Sequence, residues 1–92
     1  MAGKLTQDEI DAKLSNLENW GSDGACISRR FEFKTFKSAL GFVNKVGELA
    51  ERENHHPDIE LGWGYANITF ATHDAGGITN SDFKIAELVD KL

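Results

Sequence analysis

Three histidines are the residues of this 92-residue chain best suited to proton chemistry near neutral pH, and two of them are adjacent, in His55-His56-Pro57; the third is His73. An imidazole titrates in the physiological range without a large perturbation, so one site can use it as a proton donor or acceptor. Glu51 precedes His55 by one helical turn, and a helix that runs so far puts both side chains on one face. A carboxylate there, with the negative end of the helix dipole, favours the imidazolium form of His55 that a general acid requires. The plainer alternative for Glu51, within Glu51-Arg52-Glu53, is a solvated helix face. Pro57 drives His56 into extended backbone. Adjacent side chains then point to different sides, which suits two roles better than one chelate. With a single cysteine, Cys26, and no His-Glu-x-x-His pattern, no metal is expected.

The elements that must position these residues follow from apolar spacing. Thr6-Gln7-Asp8-Glu9 has the form of a capping box, and Ile10, Leu14 and Leu17 continue it, predicting a helix over about residues 7–17. Gly21 to Gly24 reads as a turn, with Trp20 on a short partner strand before it. From Ala25 to Phe33, Ile27, Phe31 and Phe33 alternate with Arg30 and Glu32, the signature of a half-buried strand. Thr35 caps a second helix whose stripe runs from Phe36 through Ala39, Leu40, Val43, Val46 and Leu49 to Ala50, and Pro57 requires it to stop near Asn54–His55. Ile59, Leu61 and Trp63 alternate, Gly64-Tyr65 offers a turn, and Ile68 and Phe70 follow, which predicts a hairpin. Asn67, Thr69, Ala71 and His73 then share the polar face. Thr79-x-x-Asp82 opens a terminal helix, with Asp82 structural in the first instance.

The order α-β-β-α-β-β-α pairs strands as hairpins, so the expected fold is α+β: a four-stranded antiparallel sheet with helices packed on one face. Residues 1–92 form a single domain on this reading. Trp20 and Trp63 are candidates for flat walls around a planar heterocycle, or for core packing.

Composition narrows the function classes. Fifteen acidic against ten basic residues give a net charge of −5, with no basic cluster for a nucleic-acid backbone. Apolar runs are too short to span a membrane, and Met1 to Leu5 lacks the apolar stretch of a signal peptide, so a reduced, cytoplasmic location is expected. A chain of this size buries only about 60–65% of its unfolded surface, which favours association of subunits.

The spacing Glu51-x-x-x-His55-His56-Pro57, then Trp63, His73 and Asp82, resembles the signature of the pterin-4a-carbinolamine dehydratases. The Phe31, Phe33-Lys34-Thr35-Phe36 junction and Ala71-Thr72-His73 are similar too. The resemblance implies dehydration of 4a-hydroxytetrahydropterin to quinonoid dihydropterin without a metal or organic cofactor. That reaction regenerates the pterin spent by aromatic amino acid hydroxylases. It assigns His55 and His73 as proton donors approaching the pterin from different sides and His56 as orienting residue or base. Glu51 positions His55, while Trp20, Asn54, Trp63 and Thr72 shape the pocket. It also implies homodimers or homotetramers. Some members of that family act as dimerisation cofactors, and an assembly factor for another enzyme is a further alternative. The intact set Glu51, His55, His56 and His73 favours the enzyme. The connection Gly21–Gly24 is shorter than in some members, which leaves the role of Trp20 the most open.

Overall fold

The computed structural model describes residues 3–92 and has the element order expected from the sequence. Helix α1 spans Gln7–Leu14, strand β1 Gly21–Ser22, strand β2 Ile27–Glu32 and helix α2 Phe36–Glu53. Strands β3, Asp58–Gly62, and β4, Tyr65–Phe70, precede a single 3-10 turn at His73–Ala75, and helix α3 covers Asn80–Val89. The four strands form one antiparallel sheet in the order β1-β2-β4-β3.

Register puts one side chain set inward. Ile27 lies opposite Phe70, Phe31 opposite Ala66 and Ile59 opposite Ile68. These meet Val46, Leu49, Ile78, Phe83, Ile85 and Val89 from the helices and the loop before α3 in one core. Each large aliphatic or aromatic residue so buried contributes about 1.5–3 kcal/mol, enough for the short strands to hold together. Arg29 also falls on the inward side. Its stem runs past Phe31, with the guanidinium 4.3 Å from that ring, and its head bonds Asp90 at 2.9 Å. A long stem with a polar end allows that placement.

Boundaries follow the capping chemistry. Thr6 and Glu9 form the expected capping box, as do Thr79 and Asp82, and Thr35 accepts from Ser38 at the start of α2. Helix α1 stops at Leu14 rather than near residue 17, because the chain tightens into turns with Asn16 bonding Lys13 and Leu17 bonding Leu14. Leu17 is nevertheless buried. At the other end of the motif-bearing helix, Asn54 takes the left-handed conformation, φ 52°, and stops α2 just before His55. A short amide side chain tolerates that geometry better than most residues. The hairpin between β3 and β4 turns at Trp63-Gly64, one residue earlier than the alternation suggests, with Gly64 at φ 78° and Tyr65 already paired to Gly62. Among the described residues no helix is long and apolar enough to cross a membrane.

Candidate active site

The C-terminus of α2, the segment after β4 and the N-terminus of α3 converge at one end of the molecule. Asn54, His55, His56, Ala71, Thr72, His73 and Asp74 line a cleft of about 250 Å³ there. All three histidines therefore face one space, although the second and third are separated by a complete hairpin. Asn54 and Thr72, taken from the sequence as pocket residues, lie on its wall. Asp74 lies there too and adds a carboxylate that the spacing did not single out.

Local structure explains why each ring ends where it does. Asn54 turns the chain sharply off α2, so His55 leaves the helix heading towards α3 while its backbone N–H still bonds Ala50. Its Nε2 lies 2.5 Å from Asp82 Oδ1. His56, one residue on, folds back to pair its Nε2 with Glu51. His73 follows from a closed loop: Thr72 and Gly77 exchange backbone hydrogen bonds at 2.9 and 3.3 Å, with Gly76 left-handed at φ 73° inside. Leu5 N–H bonds Ile78 O, and the Lys4 stem lies over Gly77, so the N-terminal segment braces this loop.

The expected pairing of Glu51 with His55 is corrected by this geometry. Glu51 and His55 are a helical turn apart, but the left-handed residue between them rotates His55 off the Glu51 face. Glu51 meets His56 instead, and both partners are exposed. His55 is taken by Asp82, whose side chain is 0% exposed while that of His55 is 18% exposed. Asp82 accepts two further hydrogen bonds, from the Thr79 backbone N–H at 2.9 Å and the Thr72 hydroxyl at 2.8 Å. Thr72 thus faces the cleft with its hydroxyl already committed to Asp82 and to Thr79 Oγ1, 2.8 Å away. A buried carboxylate supplied with three donors is a rigid anchor.

The two tryptophans do not wall this cleft. Trp20 is 6% exposed and packs against Phe31 and Phe70, with Nε1 donating to Asp90 at 3.0 Å. It belongs to the core because β1 starts at Gly21, which turns the preceding side chain under the sheet. Trp63 is 74% exposed on the β3–β4 turn, at the end of that hairpin away from His73. The alternation Ile59, Leu61, Trp63 extends past the last paired residue, Gly62, so Trp63 leaves the face that the first two occupy.

Asp82 is the residue whose part sequence reasoning missed. The capping box predicts its bond to Thr79, and the structure bears that out. Its reach to His55 depends on how α3 packs on α2, which spacing alone does not state. Among the described residues, no group of three His, Cys, Asp or Glu side chains gathers in a way that could hold a metal ion.

Residues 3–92 match the family model described as pterin 4 alpha carbinolamine dehydratase. A protein of Picosynechococcus sp., provisionally named a pterin-4-alpha-carbinolamine dehydratase, is 47% identical over 92 residues, covering 100% of both chains. One of Rubrobacter xylanophilus with the same provisional name is 48% identical over 89 residues, covering 96% of this chain and 83% of the other. Among solved structures, the transcriptional coactivator/pterin dehydratase from Brucella melitensis superposes with a TM-score of 0.90 at 34% identity, covering 97% of each chain. A pterin dehydratase-like protein identified as a RuBisCO assembly factor in the alpha-carboxysome gives a TM-score of 0.64 at 25% identity, over 78% of this chain and 83% of that one. Sequence matched along nearly its whole length and a shared fold agree with the spacing of Glu51, His55, His56, His73 and Asp82, and the chain belongs to the pterin 4 alpha carbinolamine dehydratase family.

Proposed function

We propose that this protein dehydrates a 4a-hydroxytetrahydropterin to the quinonoid dihydropterin by histidine acid/base catalysis. The observation that supports this most is the convergence of His55, His56 and His73 on one cleft. The reaction needs a proton delivered to the 4a oxygen and a base for a ring N–H. The C4a–O bond breaks, the oxygen departs as water, and the electron pair on N5 forms the C4a=N5 bond. Groups that exchange protons near neutral pH within hydrogen-bond reach suffice for this, and neither metal nor organic cofactor enters the scheme. His55 follows α2 and His73 opens the 3-10 turn, and each is assigned as proton donor to one face of the pterin. His56, held by Glu51, orients the ring or accepts its N–H proton. The product is the form from which the pterin cofactor of aromatic amino acid hydroxylases is restored.

Dehydration of chemically prepared carbinolamine by the wild type and by His55→Ala and His73→Ala tests the assignment. Each substitution should lower turnover by about 10²–10⁴-fold, the usual contribution of a general acid or base, with the fold intact. Near-normal rates in both variants would sink it.

Association follows from the open edge of the sheet. β3 pairs only with β4, so its outer edge offers unpaired backbone groups to a second copy. A homodimer, or dimers paired as a homotetramer, is the assembly proposed, and light scattering at micromolar concentration showing only monomer would contradict it. A second reading is a protein-binding module, and one observation favours it: Phe36 and Leu40, one turn apart on α2, are exposed, on a face that is no part of the cleft. The coactivator and assembly-factor names of the two solved structures suit such a use. A pull-down with and without pterin separates binding through this face from binding through the cleft.

A further inference from the structure

We infer that His55 delivers its proton from Nδ1, and that Asp82 is the positioning residue that makes Nδ1 the working atom. The inference rests on the dehydration proposed above and adds the atom and its support. Asp82 presents its two oxygens to different partners. Oδ2 accepts from the Thr79 backbone N–H and the Thr72 hydroxyl, and Oδ1 meets His55 Nε2 at 2.5 Å. Both Oδ2 partners are donors, one of them backbone, so the carboxylate cannot rotate without losing them. Nε2 must then carry a hydrogen, since a carboxylate so placed is an acceptor. The other ring nitrogen, Nδ1, makes no protein hydrogen bond, and it is not among the buried side-chain atoms left without a partner. It is therefore accessible to solvent, and the ring it belongs to borders the cleft.

In the imidazolium state both nitrogens are protonated, and Nδ1–H is the one a substrate can reach. When that proton passes to the 4a oxygen, His55 is left neutral with Nε2–H still donated to Asp82, so no rearrangement of the ring accompanies the step. The other titratable groups around His55 come from three elements. His56, His73 and Asp74 share the cleft with His55, while Glu53 and Lys84 share the smaller pocket on its other side.

Substitution Asp82→Asn makes the idea testable in an unusual way. The Thr79 N–H and Thr72 hydroxyl still require an acceptor, so the amide oxygen takes the Oδ2 position and the amide NH₂ faces Nε2. Nε2 becomes an acceptor, and neutral His55 moves its hydrogen to Nδ1, from which it is a far weaker acid. The experiment is nitrogen-15 NMR of the ring nitrogens in the full chain, assigned with His55→Ala, together with steady-state dehydration. In the wild type with His55 neutral, the expected result is hydrogen on Nε2 and a bare Nδ1. In Asp82→Asn the hydrogen should shift to Nδ1, and kcat should fall by about 10²-fold or more while KM changes little. A wild-type His55 with its hydrogen on Nδ1 overturns the inference whether or not the variant folds. A folded Asp82→Asn protein with wild-type kcat overturns the positioning role. Failure of the wild type to accelerate dehydration would instead overturn the proposed function, and the NMR result would distinguish that failure from this one.

Discussion

His55 and His56 are neighbours in the chain, and the Nε2 of each meets a carboxylate, yet the two pairs sit in different surroundings. The His55–Asp82 pair is anchored by a fully buried oxygen acceptor with two more donors, and it joins α2 to α3. The His56–Glu51 pair lies on the surface with 57% and 77% of its side chains exposed and links residues of one local turn. Water competes for every group in the second pair and for only the His55 edge of the first. The lesson is that an identical pairing chemistry yields a fixed reference atom in one place and an adjustable contact in the other. A substrate-orienting residue tolerates the adjustable contact; a proton donor of defined geometry does not.

The largest effect that would sharpen this comparison is on stability. Asp82→Ala strips three donors of their acceptor in the interior and should cost about 3–5 kcal/mol in a urea unfolding curve, the scale for breaking a buried pair. Glu51→Ala should leave the same curve unmoved; equal losses would erase the distinction. Next comes Thr72→Val, which removes one donor to Asp82 at nearly constant volume. A loss of about 1–2 kcal/mol is expected, with the His55 tautomer unchanged by NMR. Salt offers a subtler separation: raising it to about 1 M contracts the Debye length to roughly 3 Å. That should weaken the exposed His56–Glu51 pair and leave the buried His55–Asp82 pair nearly in place, as read from the nitrogen-15 shifts of the two rings.

The smallest expected effect concerns a surface carboxylate elsewhere and calibrates the exposed extreme. Hydrogen bonds from the Thr6 backbone N–H and hydroxyl hold the Glu9 carboxyl below the usual carboxylate range. A group with a depressed native pKa contributes stability above its ordinary value and loses it as pH falls through the native one. Protection factors of the amides in the first turn of α1, taken against the intrinsic exchange rate at each pH, should therefore fall below about pH 4, before the rest of the chain responds.

Much of the architecture was legible in the sequence because it rests on local rules. Alternation at Ile27, Phe31 and Phe33 and at Ile68 and Phe70 named the inward face, and the three threonine caps placed the helix starts. Errors arose where a pattern ran past its element: Leu17 continued a helical spacing after α1 had ended, and Trp63 continued an alternation past Gly62. Within the site, the histidines, Asn54 and Thr72 were identified and are brought together. Their partners were not, since Glu51 and His55 satisfy the helical rule on paper while a single left-handed residue cancels it. Asp82 could be read as a cap from three residues of sequence. Its contact with His55 joins positions 27 residues apart and follows from the packing of two helices.

The placement of the two tryptophans gives the protein a pair of optical reporters with separate audiences. Trp20 emits from the interior, with its ring 6.1 Å from Phe70, which in turn stacks 6.0 Å from the His55 imidazole. Trp63 emits from solvent on the hairpin turn. A collisional quencher such as iodide would silence Trp63 and leave Trp20, whose emission would then follow events at the histidine cleft. Contacts made at the far end of the hairpin would be read from Trp63 alone. Events at the cleft and events at the hairpin turn thus fall on different indoles and can be told apart without any label.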